Sequence, residues 1–207
     1  MAEGLYRSRA ARQDKASGQV LRNGSGLSQP KRVAETPCRN GRHIAQLGSA
    51  VTILQPNSFH QNVLSFANTI KAQGVFYWPL KNAAQSTVDI RDISAVAAKV
   101  FTNSGHEGKT YVITGPEALT FQQVAEKLSS VLARKIQYVD VPISAAADGM
   151  RKSGMPDWNV QAVSDLLAYF ATGAAATVTD TVARLLGRPA TSFEQFVKDH
   201  RAAFMNW

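Results

Sequence analysis

The chain has 207 residues, of which 44% are hydrophobic and 18% charged, which leaves room for one globular domain with a sizeable core. No run approaches the roughly 18 uninterrupted apolar residues of a membrane-spanning helix, and the first 30 residues lack the apolar segment of a secretory signal. The single cysteine, Cys38, excludes an internal disulfide and fits a reducing compartment, so a cytoplasmic location is expected.

The net charge of +8 is unevenly placed. Residues 1–43 hold nine Lys or Arg against Glu3, Asp14 and Glu35, whereas the other 164 residues carry 14 basic and 12 acidic groups. The basic segment has no sustained helical or strand period and reads as a disordered leader. A transit peptide or a basic arm for nucleic acid would share this texture, but a solvated tail is its commoner meaning. Nucleic acid and membrane are therefore not expected as partners.

From about Ile44 the texture is that of a folded protein. Val51–Leu54 reads as a short apolar strand that empties into "QPN". Ser58 and Gln61 have the spacing of a capping box, ahead of a helix with Phe59, Val63, Phe66, Ala67 and Ile70 on one face. Gly74 stops that helix, and "VFYWPL" and Thr87–Ile90 are short extended segments. Asp92 is placed to cap a helix bearing Ile93, Val96, Ala97, Val100 and Phe101, while Asp89 pairs with a neighbouring base or backbone N–H.

Thr110–Thr114 is a strand, and Thr120 and Gln123 form a second capping box before Phe121, Val124, Ala125, Leu128, Val131 and Leu132. Ile136–Val141 is another strand. The last third is helical: Val160, Val163, Leu166, Leu167 and Phe170 share one face, and Val178, Val182, Leu185 and Leu186 another. Ser192 and Gln195 make a third capping box. Strands alternating with helices, then helices alone, predict an α/β fold with a mainly helical C-terminal lobe over about 142–207.

Dinucleotide binding needs glycines where the chain turns against the pyrophosphate. "NGSGLSQP" supplies Gly24 and Gly26, but the third glycine would fall at Gln29, no apolar strand precedes it, and Pro30 interrupts any early helix. It is not a phosphate loop. Tyr77 and Lys81 have Y-x-x-x-K spacing, but Pro79 between them breaks the helix that would align them, so Tyr77 is expected as a wall or core residue. The four histidines have no ligand-like spacing, and no metal site is expected. His60 could face a pocket, although a core or solvated histidine is the commoner reading, and the aromatics Phe76, Tyr77 and Trp78 suit the rim of a flat-ligand pocket.

The strings "TILQPNSFHQN", "STVDIRDISAVAAKVF", "HEGKTYVITGPEALTFQQVAEKLSSVLARKIQYVDVP" and "RPATSFEQFVKDHRAAF" are long and collinear. Through them the chain resembles the NmrA-like branch of the atypical short-chain dehydrogenases/reductases. The resemblance implies a Rossmann-type parallel sheet binding NAD(P)(H), with the C-terminal lobe closing over the nicotinamide. Members include NAD(P)H-dependent reductases of quinones and related acceptors, and redox-sensing regulators without catalysis. It places Pro56, Asn57, Ser58 and Phe59 along the nicotinamide, with Asn62 one turn into the helix. Asn62, together with His60 and Trp78, which the residues themselves suggest as pocket groups, is expected to face a small-molecule acceptor. No catalytic residue is implied, because the branch lacks the Tyr/Lys pair; a regulator would use a protein partner instead.

Two departures stand out. Gln55 occupies a position where the family commonly has arginine. The glycine turn and first βα units of a full member have no counterpart, so the chain resembles the C-terminal part only, a remnant of the Rossmann sheet. It is expected to leave Val51–Leu54 as an exposed apolar edge, to be marginally stable, and to bind no dinucleotide alone.

Overall fold

A computed structural model describes residues 51–205; the basic leader lies outside them. Four short strands pair in parallel as two two-stranded sheets. β1 (Ile53–Pro56) lies beside β3 (Thr110–Ile113), with Ile53 opposite Thr110 and Pro56 opposite Ile113. β2 (Val75–Trp78) lies beside β4 (Gln137–Asp140), with Val75 opposite Gln137. Parallel neighbours need long crossovers, and the helices provide them.

A 3₁₀ turn, His60–Phe66, leads into α1 (Ala67–Gln73), which ends at Gly74 in the left-handed region (φ 68°). α2 (Ile90–Thr102) and α3 (Phe121–Leu132) follow. The closing lobe is helical, with α4 (Ile143–Lys152), α5 (Asp157–Phe170), α6 (Thr181–Leu186), α7 (Phe193–Asp199) and α8 (Arg201–Phe204). The α/β fold with a helical C-terminal lobe is as expected.

Each sheet has its own core. Around β2 and β4, the periodic face of α3 (Val124, Ala125, Leu128, Leu132) packs with Ile70, Phe76, Phe196 and Phe204. Each of these side chains larger than alanine contributes about 1.5–3 kcal/mol on burial. Around β1 and β3, Val88, Val96, Tyr111, Ile113 and Val182 form a second cluster, flanked by Leu54 and Ile93. Among the described residues β1 has one strand neighbour, and Ile53 and Leu54 are half-buried.

The Thr120/Gln123 capping box forms in both directions. The Ser58/Gln61 box does not: Phe59 stands at the cap without a side-chain bond. Gln61 is turned away, donating to Asp89 Oδ1 at 3.0 Å and accepting from the Ile90 N–H at 3.2 Å. Asp89, rather than Asp92, caps α2 by accepting from the Arg91 N–H. Phe101 is 88% exposed, outside the buried face assigned to it. β1 runs two residues beyond Leu54, because the register against β3 continues until the Asn57 N–H bonds the Ile113 carbonyl.

The head of α2 gathers distant parts of the chain. Arg91 bonds Asp89 through Nε (3.0 Å) and Nη2 (2.7 Å), and its Nη1 reaches Asp199 at the end of α7 (2.7 Å). Buried Asp92 accepts from the Thr191 N–H (2.7 Å) and faces the Arg188 guanidinium at 2.7 Å. Burial opposes the Asp89 charge, but hydrogen bonds from Arg91 and Gln61 outweigh it and hold the pKa down at about 2, from an ordinary 3.8. The folded state therefore favours the ionised carboxylate. That contribution, about 1–2 kcal/mol after allowing for screening at half-exposed Arg91, is present above the unfolded pKa and lost as pH falls from about 4 toward 2. Asp89→Asn is expected to lower the denaturant midpoint at neutral pH and to flatten the acid dependence in that window; an unchanged acid limb in urea titrations would contradict it.

Candidate functional site

The polypeptide leaving β1 turns along the mouth of a cleft of about 1030 Å³, room enough for a drug-sized ligand. One wall is Leu54 to Val63, another is the face of α5 with Val163, Leu166, Leu167, Tyr169 and Phe170, and Trp78, Phe121, Val124 and Phe193 complete it. All seven positions singled out in the sequence, Pro56, Asn57, Ser58, Phe59, His60, Asn62 and Trp78, line this one cleft.

Asn57 is locked. Its Nδ2 donates to Ser86 Oγ and to the Ala175 carbonyl, both at 2.8 Å, while Oδ1 accepts from the Ser58 N–H at 2.8 Å. Asn62 Nδ2 donates back to Ser58 Oγ at 3.1 Å. The loop is thus held by its own amides, leaving Pro56 and Phe59 exposed at the mouth, Phe59 to 38%.

His60 is 3% exposed and sits edge-on to Phe193 at 5.4 Å. Its Nε2 lies 3.2 Å from the Thr191 carbonyl and must donate there, so Nδ1, 2.8 Å from Thr87 Oγ1, accepts. Burial pushes its pKa below the usual histidine value, against the Thr191 bond and nearby carboxylates, which agrees with a neutral ring. Both nitrogens are committed, so His60 offers a ligand only its ring.

Trp78 packs edge-to-face on Phe66 at 5.2 Å and lies 6.5 Å from Phe121. Tyr77, expected as wall or core, is 45% exposed and outside the cleft, because side chains alternate along β2. Lys81 sits in the left-handed region (φ 46°) with its N–H on Asp140 Oδ1, so no helix aligns it with Tyr77. Among the described residues no cluster of His, Cys, Asp or Glu could hold a metal.

Among the described residues no Asp, Glu, Lys or Arg lines the cleft. The apolar surface of Pro56 and Phe59 fits a flat nicotinamide ring, but nothing in the lining pairs with a pyrophosphate. Sequence reasoning missed Gln85, Thr87, Phe121, Val124, Tyr169 and Phe193 as cleft residues. Thr87, Phe121, Val124 and Phe193 lay in segments whose periodicity or capping was visible, whereas Gln85 and Tyr169 gave no such signal, and only tertiary packing brings all six beside the β1 loop.

No protein-family profile matches the chain. It is 38% identical over 181 residues to the NAD(P)H azoreductase of Xenophilus azovorans, covering 87% of this chain and 63% of that protein. Its fold follows the Escherichia coli NADPH-dependent quinone oxidoreductase solved with NADPH, with a TM-score of 0.71 and 25% identity over 77% of this chain and 56% of that one. The relatives and structural neighbours of the chain are NAD(P)-binding NmrA-like and atypical short-chain dehydrogenases/reductases. NmrA itself, a negative transcriptional regulator solved with NAD, shares the fold at a TM-score of 0.57 and 20% identity, over 80% of this chain and 58% of NmrA. The chain spans less than two-thirds of the length of these NmrA-like relatives.

Gly115 packs tightly against the backbone beside His60. A Cβ added at Gly115 would lie 2.0 Å from the Thr87 carbonyl oxygen and 3.6 Å from His60 Cε1. Gly115→Ala must displace the backbone that seats His60 and is expected to cost about 1–3 kcal/mol; a thermal midpoint equal to that of the parent protein would refute this.

Proposed function

We propose that the protein is an NAD(P)H-dependent oxidoreductase for uncharged planar acceptors, quinones and compounds of similar outline. The observation that supports this most is the cleft lining, aromatic and apolar with scattered neutral polar groups and no charge, beside the loop that follows β1. A charged acceptor would be desolvated there without a counter-ion, at a cost of several kcal/mol. The azoreductase and the quinone oxidoreductase that the chain resembles are named for azo and quinone acceptors.

In this reading Pro56, Asn57, Ser58 and Phe59 wall off the nicotinamide end of the cofactor, while Trp78, the ring of His60 and Asn62 face the acceptor. NAD(P)H, when bound, supplies a hydride; the protein residues orient the two rings and exclude water. Among the described residues there is no glycine-rich turn for the pyrophosphate and no basic group in the cleft. By themselves they are proposed to hold the dinucleotide only feebly.

Equilibrium dialysis against 1,4-naphthoquinone and its 2-sulfonate tests the acceptor class, the neutral quinone being expected to bind at least about tenfold more tightly. Equal affinity for the sulfonate would sink the assignment. In a parallel fluorescence titration with NADPH the chain is expected to give no saturable signal up to tens of micromolar, and tight saturation would overturn the proposed weakness for dinucleotide.

A further inference from the structure

Gln85 is 3% exposed and lines the cleft. Its backbone is fixed on both sides: its N–H bonds the Leu119 carbonyl at 2.9 Å and its carbonyl accepts from the Leu119 N–H at 3.0 Å. Its side-chain amide, by contrast, makes no hydrogen bond with the described residues. Nor is that amide sealed in: among the described residues the one side-chain polar atom that is both sealed and without a hydrogen bond is Asp92 Oδ1, opposite Arg188. Part of the small exposure that Gln85 keeps is therefore at its amide, and the residue lines the cleft.

A buried, unpartnered amide is unusual, since such groups are almost always satisfied. Its neighbours show the contrast. Asn57, Ser86, Thr87 and His60 all spend their polar atoms on one another or on backbone. We infer that Gln85 is a specificity-determining residue, whose amide at the floor of the cleft hydrogen-bonds a carbonyl oxygen of an uncharged ring ligand. The inference deepens the acceptor reading above and rests on it. The floor position separates this contact from the nicotinamide, which that reading puts at the mouth beside exposed Pro56 and Phe59. A carbonyl is the matching group because the amide N–H₂ can donate to it, and because the surrounding walls tolerate no charge.

A site that hydrogen-bonds its ligand discriminates strongly against the analogue lacking the partner atom. The probes are 1-indanone and indane, which share an outline and differ by one carbonyl oxygen. Dialysis with the whole chain is expected to show 1-indanone bound about three- to tenfold more tightly than indane, one neutral hydrogen bond's worth. In Gln85→Leu the two affinities should converge through loss of indanone binding, with indane unchanged or tighter. Gln85→Met serves as a second apolar variant of similar length.

A second readout needs no ligand. Because the amide has no partner among the described residues, Gln85→Leu should leave the thermal midpoint unchanged or raise it. A lowered midpoint in both variants would mean that the amide is structural and would overturn the assignment. Equal binding of the two probes by the parent protein would overturn Gln85 alone and leave the cleft as an acceptor site. Binding of neither probe would overturn both.

Discussion

The Asp89 carboxylate at the head of α2 is the constraint on which the site depends. Through Gln61 it dictates the course of the 3₁₀ turn, and through Arg91 it reaches Asp199 at the end of α7. One turn further on, Asp92 holds the segment that enters α7 by the Thr191 N–H and Arg188. The β1 loop and the C-terminal helices, far apart in sequence, are thereby fixed to one helix end. Buried ion pairs contribute little net stability against apolar replacements, but they choose one arrangement among several. Here the arrangement chosen is the one that leaves a cleft between loop and lobe.

The cleft divides its work by chemistry. Backbone position is set by neutral polar groups bonded to each other, as in the chain from Asn57 through Ser86 to Ala175 and Thr177. Ligand surface is set by rings and aliphatics from α3, α5 and β2. Charge is kept outside the lining, at the α2 junction and in the Lys127 pairs with Glu117 and Glu194. Such a partition makes an interior of low polarity, and burial there disfavours the charged form of the His60 imidazole.

Much of this was legible in the sequence. The Thr120/Gln123 box, the α3 face and the stop at Gly74 are local signals, and local physics decides them. The six residues marked around the β1 loop meet in one cleft, because a strand end followed at once by a turn presents its side chains together, and Trp78 joins them from the end of β2. The failures share a cause. Gln61 had a good local partner in Ser58 but is claimed by Asp89, 28 residues away. Asp92 had the sequence of a cap and is buried as a ligand for Thr191 instead. Gln85 carries no motif at all; what distinguishes it is an unmet hydrogen-bonding capacity, which exists only once its neighbours are in place.

The segment from Gln85 to Val88 belongs to neither two-stranded sheet, yet it is stitched at every residue. Gln85 pairs with Leu119, the Ser86 N–H with Ala175, Thr87 with His60, and Val88 with Ser58. Its path is therefore independent of what the side chain at position 85 happens to be. Such a position is open to evolutionary drift: single substitutions there can retune ligand preference while the scaffold beneath stays put. Insertions or deletions in the same four residues, by contrast, would shift every stitch out of register, so the segment is plastic in composition and intolerant in length.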